Sequence, residues 1–288
     1  PTRRSSDLRG TTSGAGRDAR QDGRVGDRVR GDGTTPGRRA PEPGSLREIL
    51  GLAVPALGAL VAQPLFVLVD AGIVGTLGTL PLAGLGAAAT LVSLVLGLCI
   101  FLAYATTSSV ARRVGEGRWG AAVSEGVEGM ALGLGLGVLL ALGTWLAAEP
   151  LVVALGASPE VTPYAVTYLH VIAFGFPAAL VAMAGVGVLR GLQDTRTTLV
   201  VTLVVVVVNL VLAWVLVIGL GYGIGGSAAA TAVAELVQAA AYVAVVVRVA
   251  RRHGVRIAPS GLGMLAAART GGPLFVRTVV LRAVFLVA

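Results

Sequence analysis

Long apolar segments recur from Ile49 to the last residue of this 288-residue chain, and they constrain its fold more than any other feature. Each approaches the roughly 20 residues that a helix needs to cross about 30 Å of hydrocarbon. The chain is 55% hydrophobic and only 13% charged, which is more apolar surface than a soluble domain of this size can bury. A backbone in lipid must satisfy its own hydrogen bonds, so we predict an all-α polytopic membrane protein.

The apolar pattern predicts six complete transmembrane helices and the start of a seventh, over residues 48–76, 82–110, 119–147, 163–189, 196–219, 225–250 and 270–288. The loops that follow helices 2, 4 and 6 contain arginines, whereas the loops after helices 1, 3 and 5 contain none. By the positive-inside rule the arginine-bearing loops and the N-terminus are cytoplasmic. Gly129, Gly133 and Gly137 form a ladder of small residues on helix 3, which predicts close helix packing.

The N-terminal segment differs in composition from the rest of the chain. Residues 1–44 are rich in Arg, Gly and Asp and poor in large apolar residues, so we expect them to be disordered. The opening PTRRSSDL matches one reading frame of a common sequencing adapter, and we interpret residues 1–8 as an assembly artefact. We assign residues 45–252 to one transmembrane lobe, 253–269 to a cytoplasmic linker, and 270–288 to the start of a second lobe.

The charge distribution and the motifs exclude several function classes. The net charge is +8, but eleven of the 23 basic residues lie in residues 1–47 and no basic stripe alternates with aromatic residues, so no nucleic-acid partner is predicted. The sequence contains no HExxH, GxSxG or Walker motif, which argues against an enzyme. Cys99 is the single cysteine, and His170 and His253 share no metal-ligand spacing, so no metal site or organic cofactor is expected.

Four polar residues at membrane depth are the candidates for chemistry: Asp70 in helix 1, Asn209 in helix 5, and Thr231 and Glu235 in helix 6. A carboxylate in hydrocarbon costs roughly 2.5–3.5 kcal/mol on insertion scales. Asp70 follows Pro55, and a proline kinks a helix. This combination indicates proton or ion coupling. The alternatives are interfacial positions for Asp70 and Glu235 and a plain interhelical hydrogen bond for Asn209.

Four stretches carry a resemblance to a known family. They run from Pro55 through Asp70 into GIVGTLG, then SSVARRVGEGRWGAA, VLRGLQDTRTT and NLVLAWVLVIGLGYGIGGSAAAT, and FVRTVVLRAVFLVA is similar to the family's seventh helix. Over about Leu46 to Ala288 the chain resembles the multidrug and toxic compound extrusion transporters, specifically their DinF-like branch. The resemblance implies the N-terminal lobe of a twelve-helix, two-lobe antiporter of a bacterial inner membrane, driven by H⁺ or Na⁺ through alternating access.

The resemblance also implies roles for individual residues. In the family, the helix-1 aspartate takes up the coupling ion and the helix-1 proline is the point of bending, which correspond to Asp70 and Pro55. The family's helix-5 asparagine and helix-6 threonine, which belong to the same polar cluster, correspond to Asn209 and Thr231.

One departure from the family pattern bears on the coupling ion. The family often has an aspartate four residues after the asparagine, and this chain has Ala213 there. The loss of a hard oxygen ligand favours H⁺ over Na⁺. Glu235, one turn beyond Thr231, could compensate for the missing carboxylate.

The expected partners are small amphipathic or cationic substrates, membrane lipids and the second lobe of the same chain. Two alternative functions stay open. A lipid-linked precursor flippase would be expected to hold several arginines in its cavity, and the six complete helices have none at mid-membrane. A structural membrane protein without transport would be separated from a transporter by a dye-efflux assay.

Overall fold

The computed structural model describes residues 67–254, together with residues 265, 268, 269, 271, 272 and 274–280. The predictions for Pro55 and for the tail of residues 1–44 lie outside these residues. All regular elements in the described part are helical. They are α1 (residues 67–75 as described), α2 (Thr79–Leu98), α3 (Phe101–Gly115), α4 (Trp119–Ala154), α5 (Thr162–Ala173), α6 (Phe176–Gly191), α7 (Thr195–Ala213), a π-helical segment (Trp214–Gly219), α8 (Gly223–Arg252) and α9 (residues 274–280).

Four helical stretches of the described chain are long and apolar enough to cross a membrane. They are Thr79–Gly115, Trp119–Ala154, Thr195–Gly219 and Gly223–Arg252, and the bent pair α5–α6 makes a fifth if it counts as one span. The first of them consists of α2 and α3, which are separated only by Cys99 and Ile100. These spans follow the hydropathy pattern, and the predicted class of an all-α polytopic membrane protein is confirmed.

The fourth predicted helix is bent, not straight. Hydropathy predicted one helix over residues 163–189, whereas α5 and α6 meet at an angle of 57°. Pro177 lies in the first turn of α6. A proline cannot bond to the carbonyl four positions earlier, and its ring collides with that carbonyl. The residue in question is Ala173, the last of α5, so the chain bends where the proline requires it.

The third predicted helix extends further than expected. The pattern ended it at residue 147, before Pro150, whereas α4 continues through this proline to Ala154. The proline forfeits one backbone bond, to Leu146, close to the end of the helix. That loss does not stop a helix whose side chains are already packed.

Helix α6 is the centre of the bundle. It packs against α3, α4 and α8, and most of its residues are buried alanine, glycine, valine and leucine. Glycines make the close approaches possible. A Cβ at Gly129 would lie 2.7 Å from Oγ1 of Thr106, and one at Gly133 would lie 2.8 Å from the carbonyl oxygen of Leu180. Gly137 likewise lies against the α6 backbone, so the predicted glycine ladder is confirmed as a packing surface.

The arginines of three connections gather at one end of the bundle. Gly191 at the end of α6 packs against Val110 near the end of α3. The ring of Trp119 at the start of α4 stacks on His253 at the end of α8, with centroids 5.7 Å apart. We call this the arginine end, defined by Arg112, Arg113, Arg118, Arg190, Arg196, Arg248, Arg251 and Arg252.

Candidate functional site

Asp70 is buried where α1 meets α8. Only 8% of its surface is exposed, and its Oδ1 accepts a hydrogen bond from Oγ of Ser227 at 3.0 Å. The ion pairs among the described residues all involve Glu116 or Glu125, so no described cation neutralises Asp70. A buried carboxylate to which the described residues donate one neutral hydrogen bond is expensive. Neutralising the charge of Asp70, by a proton or by a cation, would therefore lower the free energy of the site.

Asn209 and Thr231 form the second part of the site. Nδ2 of Asn209 donates to Oγ1 of Thr231 at 3.2 Å, which joins α7 to α8. Oγ1 of Thr231 donates to the carbonyl oxygen of Ser227 at 3.2 Å. Ser227 therefore links Asp70 to the Asn209–Thr231 pair. We call these four residues the Asp70 cluster.

Two residues of the site were not identified from the sequence. Ser227 is fully buried and is the direct partner of Asp70. Tyr168 of α5 is buried, and its hydroxyl lies near Thr231 and Asp70. Ser227 lies four residues before Thr231, so helical spacing places both on one face and could have revealed it. Tyr168 lies in an apolar run and carries no comparable signal.

The remaining candidate residues divide into three cases. Glu235 follows Thr231 on α8 and is half-buried, but no described residue donates a hydrogen bond to its carboxyl group. Ala213 is fully buried and packs in an apolar group with Ile73 and Val217. Pro55 lies outside the described residues. The structure thus joins Asp70, Asn209 and Thr231 and leaves Glu235 beside them, one turn away.

The donor set limits what the cluster can bind. Among the described residues no three His, Cys, Asp or Glu side chains come together as a metal-binding group. The cluster offers one carboxylate, two hydroxyls and an amide. The amide oxygen Oδ1 of Asn209 is buried and has no hydrogen-bond donor. Such a set can exchange a proton or hold a small cation.

Comparison with known proteins places this geometry in a family. Residues 55–215, more than half of the chain, match the family described as MatE. Multidrug resistance protein MdtK of Pectobacterium atrosepticum is 31% identical over 157 residues, which is 54% of this chain and 34% of that protein.

Solved structures of similar proteins agree with this match. One is an outward-facing conformation of a multidrug resistance MATE family transporter of the MOP superfamily, with a TM-score of 0.70 and 26% identity over 83% of this chain and 54% of the other. An inward-facing conformation described in the same terms has a TM-score of 0.65 and 26% identity over 75% of this chain and 50% of the other. The chain therefore spans about half the length of these solved relatives.

The family match extends through α7, and the helical arrangement agrees with that of the solved transporters. This chain belongs to the MatE family of membrane transporters.

Proposed function

We propose that this chain is the N-terminal lobe of a secondary active multidrug or cation efflux antiporter of the DinF-like branch, driven by H⁺ and less favourably by Na⁺. The observation that carries the proposal is the buried carboxylate of Asp70, held by one hydroxyl in a polar cluster between helices. Two facts about relatives support it: MdtK is named a multidrug resistance protein, and solved relatives have outward-facing and inward-facing conformations.

A proton suits the surroundings of Asp70. Protonation removes the charge and with it the cost of holding a carboxylate away from water. It also changes the hydrogen bonding, because a protonated carboxyl donates as well as accepts. The bond that Asp70 now accepts from Ser227 crosses from α1 to α8. A change at this bond therefore alters the contact between two helices, which is the kind of event that can drive a conformational transition.

Na⁺ is the less favourable coupling ion because the cluster is short of oxygen ligands. A hard cation takes several oxygen atoms at once. Position 213, where the family often has a second carboxylate, holds a fully buried alanine in apolar surroundings. A proton needs only one lone pair of Asp70.

The proposed cycle extends to the rest of the transporter. Protonation at Asp70 lets α1 shift, with Pro55 as its point of bending, and the cavity then releases a small amphipathic cation. The second lobe of the same chain closes this cavity, so the lobe alone does not transport. We assign the protein to the bacterial inner membrane, with the arginine end and the N-terminus on the cytoplasmic side.

The test uses the full-length protein in proteoliposomes and compares Asp70→Asn with Asp70→Glu. Asp70→Asn keeps the size of the side chain but cannot be protonated, so substrate-driven proton movement should fall by about tenfold or more. Asp70→Glu should retain part of it. The matched control is Glu149→Gln, an exposed carboxylate near the end of α4. Proton-coupled transport that survives in Asp70→Asn would refute the assignment.

The choice of coupling ion is tested separately in the unmodified protein. A pH gradient imposed in Na⁺-free buffer should drive substrate movement, and a Na⁺ gradient at equal pH on both sides should not. The opposite result would replace H⁺ by Na⁺.

A further inference from the structure

Five polar side chains follow one face of α8 from the Asp70 cluster toward the arginine end. We call them the α8 stripe: Ser227, Thr231, Glu235, Gln238 and Tyr242. At about 100° and 1.5 Å per residue, they fall within an arc of about 80° and extend over about 22 Å. A polar face of this length is costly at membrane depth, and the Asp70 cluster accounts only for its first two members.

Helix α7 presents a matching face to this stripe. Asn209 and Thr202 are two helical turns apart, so they share one side of α7. Asn209 donates a hydrogen bond to Thr231, near the end of the stripe that lies at the Asp70 cluster. Thr202 lies near the hydroxyl of Tyr242, at the end of the stripe that lies toward the arginine end. Polar groups therefore line the α7–α8 contact from the Asp70 cluster toward the arginine end.

Two atoms in this contact are buried without a partner. Oδ1 of Asn209 and the hydroxyl of Tyr242 make no hydrogen bond, although the residues are only 2% and 0% exposed. Thr202 and Gln238 flank the Tyr242 hydroxyl without forming a well-aligned bond to it. An unpaired buried polar atom costs about 1–3 kcal/mol. Ordered water is the usual way in which proteins satisfy such atoms.

Glu235 lies between these two unpaired atoms along the stripe. It is half-buried, and no described residue donates a hydrogen bond to its carboxyl group. The charged groups that act on this part of the stripe are Asp70 above it and Arg190, which acts on Tyr242 from the end of α6. The carboxyl group of Glu235 thus lies between two buried polar atoms that bound water could satisfy. A carboxyl group in this position can pass a proton from one water molecule to the next.

We propose that water molecules bound along the α7–α8 contact join Glu235 to the Asp70 cluster and to the arginine end, forming a path by which the coupling proton leaves the protein. The proposal rests on the proposed function, because Asp70 is the donor. It gives Glu235 a role as a relay rather than as a second coupling site.

Each step of the path conserves protons. The carboxyl group of Asp70 gives its proton to the first bound water as one O–H bond breaks and another forms. That water passes a proton to the carboxylate of Glu235, which becomes neutral. Glu235 then gives a proton to the water beside Tyr242, and this proton reaches bulk water at the arginine end. Glu235 and every water end in their starting states, and only Asp70 has lost a proton.

The first test looks for the water itself in the unmodified full-length protein. Hydroxyl radicals made from bound water by a brief X-ray pulse oxidise side chains next to that water, and mass spectrometry locates the products. Tyr242 should be oxidised several-fold faster than Phe176, a side chain about as deeply buried that carries no polar atom to bind water. Equal rates for the two aromatic residues would overturn the proposal.

The second test follows the proton in proteoliposomes. Glu235→Gln should slow proton release by about tenfold or more while substrate affinity stays unchanged, and Glu235→Asp should restore much of the rate. Glu149→Gln is again the matched control. A raised KM for a cationic substrate with unchanged proton kinetics would make Glu235 a substrate ligand instead and would overturn the relay.

The outcomes separate this inference from the proposed function. If Asp70→Asn abolishes coupling and Glu235→Gln leaves proton release unchanged, the path is wrong and the coupling site stands. If Asp70→Asn retains coupling, the proposed function itself fails. Faster oxidation of Tyr242 in that case would show a water-filled contact that does not serve Asp70.

Discussion

One of the close helix contacts that the sequence predicts can be tested with one methyl group. Gly133 on α4 faces α6 and α3, and a Cβ there would lie 2.8 Å from the carbonyl oxygen of Leu180 and 3.0 Å from Cδ2 of Leu102. Ordinary non-bonded contacts are about 3.5–4.0 Å. The Leu180 atom belongs to the backbone and cannot rotate away, so Gly133→Ala must push α4 and α6 apart. Gly135 on the same helix has nothing within 4 Å of such a Cβ, so Gly135→Ala is the matched control.

The size of the effect follows from comparing the two variants. Both gain helix propensity, by roughly 0.5–1 kcal/mol for glycine to alanine, and this gain cancels in the comparison. Gly133→Ala alone carries the overpacking penalty, typically 1–3 kcal/mol, which we take as about 2 kcal/mol. For a chain of this size about 1 kcal/mol shifts the melting temperature by about 2–4 °C. The Tm of Gly133→Ala should therefore lie about 4–8 °C below that of Gly135→Ala.

The chain carries a convenient probe for this measurement. Cys99 is the single cysteine of the sequence and is buried. A dye that fluoresces on reaction with a thiol reports unfolding directly in detergent micelles. Coincident midpoints for the two variants, or a higher midpoint for Gly133→Ala, would contradict the close approach of α4 and α6.

Two further predictions concern the arginine end. Asp194 caps α7, accepting from the Thr197 backbone N–H at 3.0 Å and from its hydroxyl at 2.6 Å. Asp194→Ala should destabilise the fold by about 1 kcal/mol, lowering the Tm by about 2–4 °C in the thiol assay, whereas Asp194→Asn should retain most of the stability. Nε of Arg113 donates to Oε1 of Glu125 at 2.6 Å, joining α3 to α4. Glu125→Gln should lower the Tm in the same assay, because it removes the charge that Arg113 binds, and an unchanged Tm would show that this pair adds no stability.

The sequence predicts the spans of this protein better than their bends. The number and order of the apolar segments follow from the thickness of the membrane, which sets a minimum helix length for any chain. The angle between α5 and α6 depends on one missing hydrogen bond at Pro177, and hydropathy does not register backbone hydrogen bonds. The third predicted helix ended at residue 147, before Pro150, whereas one lost bond near the end of α4 does not stop the helix.

The candidate site shows a similar division. Asp70, Asn209 and Thr231 can be selected from the sequence because each is costly in an apolar helix, and the structure brings them into one cluster. Ser227 could not be selected on cost, because a serine in a run of glycine and alanine is equally suited to helix packing. Its bond to Asp70 spans 157 positions and becomes visible only when α1 and α8 are in contact.

The most specific stretch of the sequence resemblance, VLRGLQDTRTT, has a structural explanation. Gly191 packs against Val110 where a side chain would collide. Gln193 adopts a left-handed conformation with φ of 62°, which reverses the chain after α6. Asp194 then caps α7 through Thr197. The stretch builds the tight turn at the arginine end, and the coupling chemistry that we propose lies elsewhere in the bundle.

The hydrogen bonds of the Asp70 cluster bear on the choice between a proton and a cation. Oγ of Ser227 already donates to Asp70, and Oγ1 of Thr231 accepts from Asn209 and donates to the Ser227 carbonyl. Among the described residues, Oδ1 of Asn209 is a buried side-chain oxygen of the cluster that has no partner. A cation would find one carboxylate, Oδ1 of Asn209 and the unused lone pairs of two hydroxyls, and Ala213 adds no ligand. A proton needs a single lone pair of Asp70, which is why we propose H⁺ rather than Na⁺ as the coupling ion.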